Sequence, residues 1–263
     1  MADPDDDENK ESFISHLVEL RDRLLRCLLV MLILILAMAP FANHLYEIFA
    51  HPLMSVLPKG DTMIATQPHA PFFVPLKLVI FLGVIASMPY ILYQIWAFVA
   101  PGLYENEKTL AVPLLVSSTV LFYLGILFAY FVVFPLIFSF FTRVAPPGVA
   151  VMTDIDAYLN FCMKLFFAFG ACFEVPVATV ILVKIGIITP DALAQKRPYI
   201  VVGAFVVGML MTPPDIFSQT MLALPIWALF EAGLWFSRRV ERRPVSEESE
   251  GGDAESDPAG SND

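Results

Sequence analysis

Glu105 and Glu107 lie two residues apart in Pro101-Gly102-Leu103-Tyr104-Glu105-Asn106-Glu107-Lys108, a carboxylate pair able to hold a cationic ligand. The preceding run ends in Trp96-Ala97-Phe98-Val99, an apolar lip beside that pair. A further carboxylate, Glu19, sits in a stretch with apolar residues at 13, 17, 20 and 24 and polar ones at 12, 15, 16 and 19. That spacing predicts an amphipathic helix at a membrane surface. Glu19 also stands four residues before Arg23, a helical ion-pair spacing worth a few tenths of a kcal/mol. Glu174 is the deepest acid, within Ala171-Cys172-Phe173-Glu174-Val175-Pro176. Its nearest cation along the helix, Lys164, is ten residues or roughly 15 Å away. It is therefore either protonated against neighbouring helices or turned to a water-filled cavity. Thr153-Asp154-Ile155-Asp156 and Thr212-Pro213-Pro214-Asp215 read as turns that cap the helices after them, with Asp215 capping the last.

Catalytic signatures are missing. There is no GxxxxGK[ST], HExxH, GxSxG or Cys/His ligand cluster. His44, His51 and His69 share one polar segment without ligand spacing and, like His16, read as surface residues. Cys27, Cys162 and Cys172 lie in apolar runs and form neither a disulfide framework nor a zinc site. The expectation is no enzyme, no metal, no cofactor and no nucleic-acid partner. Energy for any transport comes from a partner or a gradient.

The elements that carry these groups belong to a membrane. Of 263 residues, 57% are hydrophobic and 16% charged, against about 25% charged in a soluble domain. The net charge of -10 resides in two polar ends, 1–11 and 244–263, which read as disordered. The stretch 12–243 carries +2, from 15 bases and 13 acids. The expected domains are an acidic tail over 1–11, a membrane domain over 12–237, and a basic then acidic cytoplasmic tail over 238–263.

Uncharged runs predict an all-α polytopic fold with six transmembrane helices, near 24–41, 72–100, 110–141, 158–183, 199–211 and 220–236, the last two short. With both ends cytoplasmic, twelve bases fall inside and two outside, while Lys77 and Lys164 lie within spans. Ala37-Met38-Ala39 looks like a leader cleavage site, but Pro40 follows it and five further spans come after, so the first span is read as retained. Pro89, Pro113, Pro135, Pro176 and Pro225 fall inside spans, as ordinary membrane-helix prolines or as bends shaping a concave wall. Lys77, Lys164 and Glu231 lie close enough to span ends to snorkel. Ala204-xxx-Gly208 allows close helix packing.

On chemistry alone three readings stand. One is a surface site for a cation joined to an apolar stretch. A second is a gradient-coupled solute transporter using Glu174, although no inverted repeat is visible. The third is a passive scaffold. Longer motifs then resemble one family, TatC, the multispanning subunit of the twin-arginine protein translocase. They are His16-Leu17-Val18-Glu19-Leu20-Arg21, Ala70-Pro71-Phe72-Phe73, and Pro89-Tyr90-Ile91-Leu92-Tyr93-Gln94-Ile95-Trp96-Ala97-Phe98. Phe122-Tyr123 with Ala129-Tyr130-Phe131-Val132-Val133-Phe134-Pro135, Phe173-Glu174-Val175-Pro176, Lys196-Arg197-Pro198-Tyr199, and Met211-Thr212-Pro213-Pro214-Asp215 continue the match over about residues 12–237.

The resemblance implies six helices in a concave cup in the bacterial inner membrane, with both termini cytoplasmic. It implies binding of paired-arginine signal peptides on folded cargo, single-span partners of the TatA and TatB type, use of the proton gradient, and a homo-oligomer within the complex. By the same resemblance Glu107, Phe98 and Glu19 bind the signal. Glu174 is the intramembrane polar site, and Asp215 the outer-turn or partner contact. Some relatives carry bases around the loop glutamate; here Glu105 and Asn106 precede it, so Glu105 is expected to assist or substitute.

Overall fold

The computed structural model describes residues 4–56, 63–99, 111–144, 152–211 and 216–241. Helix α1 (Pro4–Met38) runs unbroken from the polar N-terminal stretch into the first apolar run, and a tight turn, Ala39–Phe41, leads into α2 (Ala42–Val56). Next come α3 (Ala70–Val99), α4 (Ala111–Phe128), a wide turn (Ala129–Val133) and α5 (Phe134–Val144). Then follow α6 (Ile155–Phe173), α7 (Val175–Lys184), α8 (Pro190–Gln195), α9 (Arg197–Met211) and α10 (Ile216–Glu241).

The expectation of six transmembrane helices with a short last pair needs correction. Among the described residues, five helical stretches are long and apolar enough to cross: Leu17–His51, Ala70–Phe98, Val112–Phe141, Ile155–Lys184 and Gln219–Arg239. The fifth expected span is α9, whose 15 residues make about 22 Å at 1.5 Å each, against about 30 Å of hydrocarbon. Arg197-Pro198 opens it and Thr212-Pro213-Pro214 follows, so the sequence does not extend it. The last span, by contrast, is 21 residues long, because its helix continues into the arginines, where Arg239 lies 3.8 Å from the Trp235 ring centre. An uncharged run is thus a poor ruler for a span at both extremes.

Prolines explain the interruptions. Pro135 has no N–H for the carbonyl of Phe131, and the ladder just before it widens, with the Phe134 N–H reaching back to Ala129 O. Pro176 breaks the fourth span: α6 ends at Phe173, Glu174 sits at the joint, and Pro176 lies in the first turn of α7. Pro75 and Pro89 lie within α3, and Pro225 within α10.

The main core joins α2, α3, α4–α5, α6 and α10 around Phe49, Leu78, Ile137, Leu159, Phe166 and Leu222. Phe166 is its hub, with ring centres 4.9 Å from Phe134 and 5.6 Å from Phe49. Helices meet where side chains vanish, as membrane packing favours. A Cβ on Gly125 would stand 2.6 Å from the Phe169 carbonyl oxygen, and one on Gly170 equally close to the Phe122 ring, so α4 and α6 touch through their backbones. The Ala204–Gly208 pair is buried as expected, with Gly208 under Gln219 of α10.

Helix α1 is the exception. None of its apolar window is buried. It lies along α3, where Ile35 fills the space over Gly83.

Candidate functional site

The site is assembled where α1 and α3 run side by side. Midway along its length α1 offers Glu19 and, one turn later, Arg23; α3 offers Tyr90, Gln94 and Phe98 at similar helical steps near its end. The i,i+4 pair forms. Arg23 Nε donates to Glu19 Oε1 at 3.1 Å, and Nη2 donates to the same oxygen. Arg23 Nη1 turns across to α3, 3.4 Å from Gln94 Oε1 and 3.5 Å from the Gln94 carbonyl oxygen. Gln94 Nε2 in turn donates to the Tyr90 hydroxyl at 2.8 Å. Gln94 is 6% exposed, so this amide is a buried polar anchor with both ends engaged.

A cavity lies on each side of that bridge. One, about 480 Å³, is an apolar groove between the helices, lined by Leu20, Leu24, Cys27, Ile91, Ile95 and Phe98 among others. The second, about 520 Å³, is open and polar, with Glu19, Asp22, Arg23, Arg26, Tyr93 and Gln94 on its walls. Glu19 and Phe98 therefore approach one bridge from opposite sides, an acid facing water and an aromatic closing an apolar slot. Helix α3 ends at Val99, and Glu105 and Glu107 belong to the segment that follows. Glu105, Glu107 and Asp215 lie outside the described residues.

Glu174 is held elsewhere, at the joint between α6 and α7. Its N–H bonds to Ala171 O at 3.1 Å, and its carbonyl accepts from Ala178 at 2.9 Å. Among the described residues, Ser118 Oγ on α4 and Glu174 Oε1 are the buried side-chain oxygens with no hydrogen-bond partner.

Cross-helix pairs were not legible as such. Lys77, expected to snorkel, reaches Asp156 at 2.6 Å and Asn160 at 3.1 Å, tying α3 to α6. Glu231, also expected to snorkel, accepts two bonds from Arg197, at 2.6 and 2.8 Å, tying α10 to the start of α9. Lys164 is exposed. A polar residue inside an apolar run, as Gln94 is, was the available signal for the α1–α3 bridge.

At the opposite end of α3, Asp154 caps α6 as expected, accepting from the Asp156 and Ala157 amides at 2.9 and 3.0 Å. It also clasps the segment before α3, accepting from the Thr66 hydroxyl at 2.7 Å and amide at 2.9 Å. Ile64 pairs with the same stretch through Thr153 O and the Ile155 amide. The Thr66 hydroxyl bond, then the amides, hold the Asp154 carboxyl down at about 2. A lowered carboxyl supplies stability above its ordinary value and surrenders it as pH falls toward the folded value. The protection of the Thr66 and Ala157 amides, relative to exchange of an unstructured chain at the same pH, should hold down to about pH 4 and fall toward pH 2; loss of protection already at pH 6 would contradict this origin.

Comparison with known proteins agrees with the architecture. The family described as Sec-independent protein translocase protein (TatC) matches residues 15–225. The Haemophilus influenzae protein of that name is 54% identical over 242 residues, covering 92% of this chain and 94% of the relative. The Escherichia coli K12 protein is 56% identical over 231 residues, covering 88% and 90%. A crystal structure titled Twin Arginine Translocase Receptor TatC superposes with a TM-score of 0.78 at 38% identity, covering 86% of this chain and all of that one. With most of its length matched in sequence and in backbone course, the chain belongs to the TatC family of Sec-independent protein translocase proteins.

Proposed function

We infer that the chain does the work of its family. It is the multi-pass core subunit of the twin-arginine translocase in the bacterial inner membrane, exporting folded proteins, and it is not an enzyme. We propose further that it is the receptor for the signal, with Glu107, Glu105 and Glu19 taking the guanidinium groups and Phe98 meeting the apolar stretch that follows them. The observation that supports this is the α1–α3 site: an accessible carboxylate and an apolar groove set on two sides of one polar bridge, at the end of α3 from which the Glu105–Glu107 segment departs.

The chemistry favours arginine. A guanidinium is planar and can bond a carboxylate through two N–H groups, whereas an ammonium is a point charge. Arg21, Arg23 and Arg26 at the head of the first apolar run, with Arg238 and Arg239 at the end of α10, support placing both chain ends on the cytoplasmic side. Single-span partners of the TatA and TatB type and the proton gradient complete the proposal, as does a homo-oligomer within the complex. Glu174 and Asp215 enter it as the intramembrane polar site and the outer partner contact.

The test is binding of an Arg-Arg signal peptide and its Lys-Lys version to detergent-solubilised protein. One charge-assisted bond is worth about 1.5–3 kcal/mol, so the Arg-Arg form should bind at least roughly ten-fold tighter. Equal binding of the two would refute the receptor assignment.

A further inference from the structure

The Glu19 carboxylate already carries a guanidinium, and it is the protein's own. Arg23 gives two of its five donors to Glu19 Oε1 and directs a third at Gln94. Its side chain is 19% exposed while that of Glu19 is 42% exposed. The acid is thus reachable from the polar cavity, and the base is tucked beneath it against α3. Charge, planarity and donor fork are those a signal arginine would bring.

We propose that Arg23 is an internal competitor for Glu19, and so a residue that sets the affinity threshold of the signal site. This rests on the receptor assignment above. In the unliganded protein Arg23 fills the carboxylate, and an arriving side chain must replace it. Arginine for arginine is a near-even exchange, because the bonds broken and made are of one kind. Lysine replacing arginine gives up the fork and gains nothing for it. Opening the Glu19–Arg23 pair costs the same whichever ligand arrives, so the competitor lowers affinity for every signal by one common factor and raises the threshold that lysine, lacking the fork, meets less well. Arg23 has a place to wait when displaced. Gln94 Oε1 and the Gln94 carbonyl both accept from Nη1, and the cavity of about 520 Å³ adjoins them.

The geometry also explains why Gln94 is kept satisfied from behind. With Nε2 donating to Tyr90, its amide oxygen stays turned toward Arg23. The competitor is then held within reach of Glu19 whether it is paired or displaced.

The experiment uses the full-length protein in detergent, with one fluorescent synthetic peptide bearing Arg-Arg before an apolar stretch and a second bearing Lys-Lys. Four proteins are compared: the native chain, Arg23→Gln, Arg23→Lys and Arg26→Gln. The last removes the same charge from the wall of the same cavity. Arg23→Gln should bind the Arg-Arg and Lys-Lys peptides tighter by the same factor, roughly ten-fold, and leave the ratio between them near its native value. Arg23→Lys, which keeps the charge and loses the fork, should fall between native and Arg23→Gln, and it stands in as the test if Arg23→Gln does not fold. Arg26→Gln should change both affinities by a similar small factor and leave the ratio alone.

A native chain that prefers Arg-Arg, with a folded Arg23 variant no tighter than native, overturns the competitor while leaving the receptor assignment standing. An Arg26→Gln effect as large as that of Arg23→Gln overturns it too, since general charge would then be the cause. If the native chain shows no preference between the peptides, the receptor assignment itself fails and the competitor falls with it.

Discussion

Changing Glu105 and Glu107 together to alanine is expected to weaken Arg-Arg signal binding by about two to four powers of ten, the largest functional effect of any substitution proposed for this chain. Each charge-assisted bond contributes about 1.5–3 kcal/mol, and two lost together give that range. The single changes should be less than additive, because two carboxylates separated by one residue share a ligand and one can take over from the other. Glu107→Ala alone should therefore cost much less than half of the double variant's loss in free energy. Titration of the labelled peptide against each variant measures this directly. Undiminished binding by the double variant would remove the loop from the site and leave the acids of α1, Glu19 first among them, to hold the ligand.

The second large effect concerns assembly. Gly125→Ala should destabilise the bundle, while Gly203→Ala should be neutral. At Gly125 the new methyl meets backbone, with Phe169 O at 2.6 Å and Phe169 C at 2.9 Å. Backbone cannot rotate aside as a side chain can, so α4 and α6 must part. Overpacking of this kind costs about 1–3 kcal/mol. Gly203 has nothing within 4 Å of its Cβ position, and alanine there gains helix propensity. Melting in detergent should show a clear fall for the first variant and none for the second. An unchanged Gly125→Ala protein would mean that the α4–α6 contact is not what holds the core together.

Much of the fold was readable because apolar length is a strong signal where it is long. The second, third and fourth spans were expected at 72–100, 110–141 and 158–183, and they lie at Ala70–Phe98, Val112–Phe141 and Ile155–Lys184. Failure came where length and charge disagree. The first span was stopped at Phe41, although a tight turn carries the helical path on into α2 and as far as His51. The last was stopped short of arginines that a membrane helix can carry at its end by laying them over tryptophan. Helix α9 reads as a crossing because an even number of spans keeps both arginine-rich ends on one side, although its run of 13 uncharged residues is shorter than the hydrocarbon and suits a buried hairpin as well.

At the site the same division holds. Glu19–Arg23 was visible because it is local and periodic. Its partner Gln94 is 71 residues away from Arg23, and Lys77–Asp156 and Arg197–Glu231 likewise join separate helices. No spacing rule within one helix reveals such pairs, so snorkelling was the default reading for ions that in fact hold helices together.

The wide turn at Ala129–Val133 has a consequence for the gene as well as for the protein. It accommodates one residue more than a regular helix would, and a regular helix turns by about 100° per residue. The extra residue lets Phe134 and Ile137 continue inward on the side already set by Phe122 and Ala129. Loss of one codon there would remove the widened turn and keep the same residues inward on both halves, with only the bond that Pro135 cannot donate still missing. Loss of one codon elsewhere in that span would swing everything beyond it by more than a quarter turn. Among homologous chains, length variation inside this span should therefore be confined to those five positions.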